Sequence, residues 1–230
     1  MPTLSSGYFF RYYLKNQHLD KQFLINRCAE EAMANNCYNL MQVFGNSEVK
    51  KQVKKWNAAL ALYQPTTEDP NCARAIKEIF YTDFKVDEEP QFGAKWVYSD
   101  IASTGANEYE LGFVSTWIPP EELEKHIACL MHPLDKDVVV RNSFNIEDGS
   151  YGASYTTPLN DTKAYRKEVY EELDNDSFDD IESAEEDLFA RLEEAEVDML
   201  TDEFLNDMPR LAETIKNHMP SLNIDWGEYK

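Results

Sequence analysis

In KHIACLMHP, His126, Cys129 and His132 recur at three-residue steps, and imidazoles with a thiolate form a donor set that zinc accepts. On a helix such steps leave the outer two about 120° apart in azimuth and some 9 Å apart along the axis. Pro133 halts the helix beside His132, so the expectation is a packed thiol flanked by surface histidines rather than a metal site. A second constellation lies in DNDSFDDIESAE, where Asp174, Asp176, Asp180, Glu182 and Glu185 take the first, third, seventh, ninth and twelfth places of a calcium loop, with Ile181 at the hydrophobic eighth. Phe178 stands fifth and Asp179 sixth, where the sharp turn calls for Gly, so no calcium is expected either. No Walker loop, G-x-G-x-x-G, nucleophile elbow or H-E-x-x-H occurs. An enzyme would have to gather Trp96, Trp117, His126 and Tyr155 into one pocket; the expectation is a non-enzyme with no cofactor.

The elements that must carry these residues follow from periodicity. Residues 1–34 read as an aromatic arm plus one helix, with Phe23, Leu24, Arg27, Cys28, Glu31 and Ala32 at helical spacing. CYNLMQVFG is a strand ended by Gly45, and Val49, Val53, Trp56 and Leu60 then mark a helix capped by Asn46 or Ser47. CARAIKEIFYTDF predicts a shorter helix, and AKWVYSDI with YELGFVSTW a hairpin with a long connection. Pro119 and Pro120 start a helix through EELEKHIACLM, and KDVVVRNSFNIED with SYGASYTTP predicts two strands turning at Asp148-Gly149. Beyond Pro158 charged helix formers dominate: Tyr165, Val169 and Leu173 mark one helix, Ile181, Ala184, Leu188, Leu192, Ala195 and Met199 a second, Leu211, Ile215 and Met219 a third. The expected architecture is α+β: a ferredoxin-like split βαβ domain (βαββαβ plus an extra strand) over 35–158, preceded by the arm at 1–34 and followed by acidic amphipathic helices at 159–230.

Composition limits the function classes. The 230 residues carry 43 acids and 22 bases, a formal net charge of -21, which disfavours direct nucleic-acid binding because phosphate backbones require clustered Lys and Arg. Residues 159–230 alone hold 22 acids and 7 bases. Cys28, Cys37, Cys72 and Cys129 lack a CxxC pair, so reduced thiols are expected. With no signal-peptide pattern and no bilayer-spanning run, the expectation is a soluble, cytoplasmic protein away from the membrane.

NNCYNLMQVFGNSEVKKQVKKW, FGAKWVYSDI, GFVSTWIPPEEL and GSYGASYT together resemble the Api92-like proteins. The resemblance spans about residues 35–157 and rests chiefly on Lys95-Trp96 and on Ser115 through Pro120. It implies a ferredoxin-like domain carried by bacteriophages and mobile elements, with no assigned catalytic residues. Residues 1–34 and the acidic helices fall outside it. Trp96 and Trp117 read as a cross-strand core pair, or else as an exposed aromatic platform without the basic neighbours that phosphates need.

The acids themselves are the main partner-binding candidates: Asp174, Asp176, Asp179, Asp180, Glu182, Glu185, Glu186, Glu193 and Glu194. From Glu168 to Glu203 there are 17 acids in 36 residues; as one helix this spans about 54 Å, or roughly 3 Å per charge, near the ~3.4 Å phosphate spacing of a DNA strand. They are either a solvated face or an acidic docking surface. Tyr8, Phe9, Phe10 and Arg11 have hot-spot composition, or tuck against the sheet. The leading expectation is a phage or mobile-element protein that binds and modulates a basic host protein in the bacterial cytoplasm, as a nucleic-acid mimic of anti-CRISPR or anti-restriction type. The alternative is an assembly protein that self-associates, a homodimer included, or binds a phage component through its helical tail.

Overall fold

A computed structural model of the chain describes residues 35–63, 73–81, 92–94, 97–99, 109–147, 149–172 and 181–200. Among these, β1 (Asn36–Phe44), β2 (Val97–Ser99), β3 (Glu110–Thr116), β4 (Val139–Ile146), β5 (Ser150–Asn160) and β6 (Lys163–Glu172) form one antiparallel sheet in the order β2-β3-β1-β4-β5-β6. Helices α1 (Ser47–Leu62) and α2 (Ala73–Phe80) lie between β1 and β2, α3 (Glu121–Met131) between β3 and β4, and α4 (Ile181–Met199) after β6. The molecule is thus mixed α+β.

Local chemistry explains the starts. Asn46 Oδ1 accepts from the backbone N–H of Glu48 (2.9 Å) and Val49 (3.2 Å), capping α1. The four-three-four spacing of Val49, Val53, Trp56 and Leu60 buries all four. Pro120 offers α3 no side-chain cap; the carbonyl of Phe92 instead accepts from Glu122 N (3.0 Å) and Leu123 N (3.2 Å), satisfying donors that a helix start leaves over. Gly93 holds this approach open with φ +83°.

Strand register assigns the two faces. Asn142 pairs with Ser154, and both reach Glu124 of α3; Arg141 pairs with Tyr155, and both reach Glu196 of α4. Neighbouring strand residues point to opposite faces, so α3 and α4 sandwich the β4-β5-β6 side of the sheet. On the α3 face Met41, Val43, Phe113 and Val140 pack with Val53, Trp56, Phe80, Leu123, Ile127 and Met131 in the main core. On the α4 face Tyr151 packs with Leu188 and Leu192.

Two expectations change. Of the helix read from Tyr165, Val169 and Leu173, Leu173 lies outside the described residues, and the part holding Tyr165 and Val169 is instead strand β6, in register with β5 from Ser150↔Glu172 to Asn160↔Lys163. A spacing of four is compatible with either period, and the long β5 supplies a partner edge that sequence periodicity does not reveal. Two strands therefore extend the sheet beyond β4, not one, and β5 runs through the boundary expected at Pro158. The 36-residue acidic span is accordingly not one helix, because Glu168, Glu171 and Glu172 lie on β6. Among the described residues no helix is long and apolar enough to cross a membrane.

Candidate functional site

The acidic helix α4 is anchored, not free. Leu188 and Leu192 lie four apart and bury against Tyr151 and Val169, with Phe189 edge-on to Tyr151 at 5.7 Å. Four residues further along the same stripe stands Glu196, buried with its carboxylate inward. Arg141 donates to Glu196 Oε1 from Nε (3.0 Å) and Nη2 (2.6 Å), and the Tyr155 hydroxyl donates to the same oxygen at 3.0 Å. Arg141 also reaches Ser143 Oγ and Gln42 Oε1. Burial disfavours the Arg141 cation, but the Glu196 carboxylate outweighs it and holds the guanidinium pKa above its ordinary value. Burial, then the charge of Glu196, pushes the Tyr155 phenol up, so it stays a neutral donor.

On the opposite face Glu124 is fully buried and takes donors from four side chains: Asn142 Nδ2 (2.8 Å), Ser154 Oγ (2.7 Å), Thr156 Oγ1 (3.3 Å) and Arg166 Nε (2.8 Å). Asn142 continues to Asn39 Oδ1 (3.0 Å), Asn39 to Ser115 Oγ (2.9 Å), and Ser115 to the Ile118 carbonyl (2.7 Å). The chain of polar contacts ends at the turn of Trp117, a non-glycine residue at φ +70°. Ile118 N bonds back to Thr116 O (2.9 Å) and Trp117 N to Asn35 O (2.9 Å), making a γ-turn of the strained hand. Arg141, Glu196, Glu124 and Arg166 were not among the sequence candidates. The available signal was an ion on an apolar stripe: Glu124 in line with Ala128 and Met131, Glu196 in line with Leu188 and Leu192, Arg141 inside VVVRNSF.

Several sequence candidates go elsewhere. Trp117 is not a core residue; it sits past the end of β3 and is 49% exposed, because the γ-turn turns it off the sheet. Trp96 lies outside the described residues. His126 points Nε2 at the Phe80 carbonyl (2.6 Å) and stacks on Tyr81 at 4.0 Å, whereas His132 Nδ1 meets the Asp161 carboxylate. Cys129 is buried, and burial, then Asp161, pushes its thiol up, the reverse of what an activated nucleophile needs. Among the described residues no three His, Cys, Asp or Glu side chains are grouped to hold a metal. His126 is on α3 and Tyr155 faces α4, so the sheet separates two members of the pocket an enzyme would have required.

The acids divide three ways. Glu196 is spent inside; Asp187 and Glu171 both hold Arg191, at 2.8 and 2.5 Å. Glu194 on α4 is exposed and Glu193 half-buried. Glu182, Glu185 and Glu186 fall in the first turns of α4, with side chains outside the described residues. Asp174, Asp176, Asp179, Asp180, Tyr8, Phe9, Phe10 and Arg11 also lie outside them. Comparison of the chain with family models, curated proteins and solved structures gave no match.

Proposed function

We propose that this is a non-enzymatic protein of bacteriophage or mobile-element origin that acts in the bacterial cytoplasm by binding a host protein. Its acidic C-terminal region would occupy a basic, nucleic-acid-binding surface, as a mimic directed at a defence system. The observation that carries this reading is the division of α4. Leu188, Leu192 and Glu196 fasten one side to the sheet, while Glu194 is exposed and Glu193 half-buried. A helix fastened in this way presents its charges with little ordering cost on binding, unlike a mobile tail. Opposite charge on the partner would speed encounter.

The order β2-β3-β1-β4, with helices between β1 and β2 and between β3 and β4, supports reading residues 36–146 as a ferredoxin-like split βαβ unit, the fold that the Api92-like resemblance implies. In the test, the immobilised full chain and a Glu193→Lys/Glu194→Lys variant are exposed to bacterial lysate. The expected result is a partner retained by the wild type, displaced by duplex DNA, and lost from the variant. Retention unchanged by the reversal and by DNA overturns the mimic.

A further inference from the structure

Among the described residues strand β6 is the last strand at one end of the sheet, and none of its ten residues is buried, although α3 and α4 pack near it. The opposite end is the three-residue β2. A long open edge offers a row of backbone donors and acceptors to another strand. Natural edges are commonly guarded by charge, so the arrangement of charge decides whether this one repels or pairs. Lys163, Arg166 and Lys167 fill the first half of β6, and Glu168, Glu171 and Glu172 the second. Three of the seven bases of residues 159–230 are thus gathered in five positions.

We propose that β6 is a self-recognition edge, pairing antiparallel with β6 of a second copy of this chain. A two-fold axis normal to the sheet keeps each face continuous, so only residues of the same face can stand opposite one another. With the axis at Lys167, Lys163 faces the second copy's Glu171 and Tyr165 faces its Val169 on the α4 side. On the α3 side Ala164 faces Tyr170, which is 62% exposed in the single chain, and Arg166, already held by Glu124 and Glu168 of its own chain, stands opposite Glu168. Each pairing occurs twice, so Lys163 meets Glu171 at both ends of the seam, and an aromatic meets a β-branched side chain. The one repulsive contact is Lys167 against its own copy on the axis. This edge is distinct from the α4 surface that carries Glu194, so the two surfaces can be occupied independently.

Sedimentation equilibrium of the full chain over a concentration series tests it. The expected species is a dimer of twice 26.7 kDa. Lys163→Glu is expected to raise the dissociation constant about tenfold or more, and Lys163→Glu with Glu171→Lys to bind more tightly than Glu171→Lys alone, a comparison that removes the loss of the Arg191 contact. Lys167→Cys, which stands opposite itself, is expected to give a disulfide-linked dimer on oxidation, whereas Glu168→Cys, which faces Arg166, does not. A monomer at every concentration overturns the proposal. So does a dimer indifferent to Lys163→Glu, which would place the contact on another surface.

Discussion

Arg141 and Asn142 are consecutive residues of β4 whose side chains hold carboxylates from opposite sides of the sheet. Arg141 Nη2 lies 2.6 Å from Glu196 of α4, and Asn142 Nδ2 2.8 Å from Glu124 of α3. One strand therefore ties both helices to the sheet through buried polar contacts, and the acidic helix is held by an ion pair that spans 55 residues of chain.

Removing one partner of that pair is expected to cost more than the pair itself contributes. Glu196→Ala leaves the buried Arg141 cation without a counter-charge, at a cost of about 3–5 kcal/mol. Arg141→Met combined with Glu196→Leu and Tyr155→Phe is expected to be neutral or stabilising, since apolar replacement removes the desolvation costs and leaves no buried hydroxyl without a partner. Urea unfolding of the two variants against wild type measures both.

Gly152 sits where β5 passes beneath Phe144. A Cβ there would lie 2.6 Å from both Phe144 Cε2 and the Val169 carbonyl oxygen, so ring and backbone would have to yield. Gly152→Ala is expected to destabilise by about 1–3 kcal/mol, with partial recovery in Gly152→Ala/Phe144→Leu. Thermal melting of the single and double variants is the check.

Trp117 holds φ +70°, a conformation that a β-branched residue tolerates worst and glycine best. Trp117→Val is expected to be less stable than Trp117→Gly by about 1–2 kcal/mol. Equal stabilities would mean that the turn relaxes at no cost.

The hydrogen bond from Lys125 lowers the Glu121 pKa, against some burial and with help from the charges of Lys125 and Arg166. A carboxylate lowered in the folded state contributes stability above its unfolded pKa and loses it as pH falls through the folded value. Lys125 is raised by the same partner; its contribution is full below the ordinary lysine range and lost as pH rises through the folded value. Lys125→Met is thus expected to destabilise by at most about 1 kcal/mol at neutral pH, with the difference vanishing in acid. Melting temperatures of both proteins across that range decide it.

The order of elements from β1 to β5 was legible because each carries a strong local signal. Asn46 caps α1, the 49-53-56-60 stripe has one period, and VVVRNSF and YGASYTT are too short and β-rich for helices. Strand β6 was not legible. As an edge strand it has no fully buried side and so lacks the alternation that marks a strand, and its Lys, Arg and Glu are good helix formers. The same reason limits the acids. Sequence alone established their density and the apolar stripe Leu188-Leu192 that faces inward. Only the tertiary structure decided that Glu196 is buried against Arg141 while Glu194, two residues earlier, is exposed. A carboxylate's fate depends on whether a distant strand brings a guanidinium to it, because burial without that partner would cost several kcal/mol.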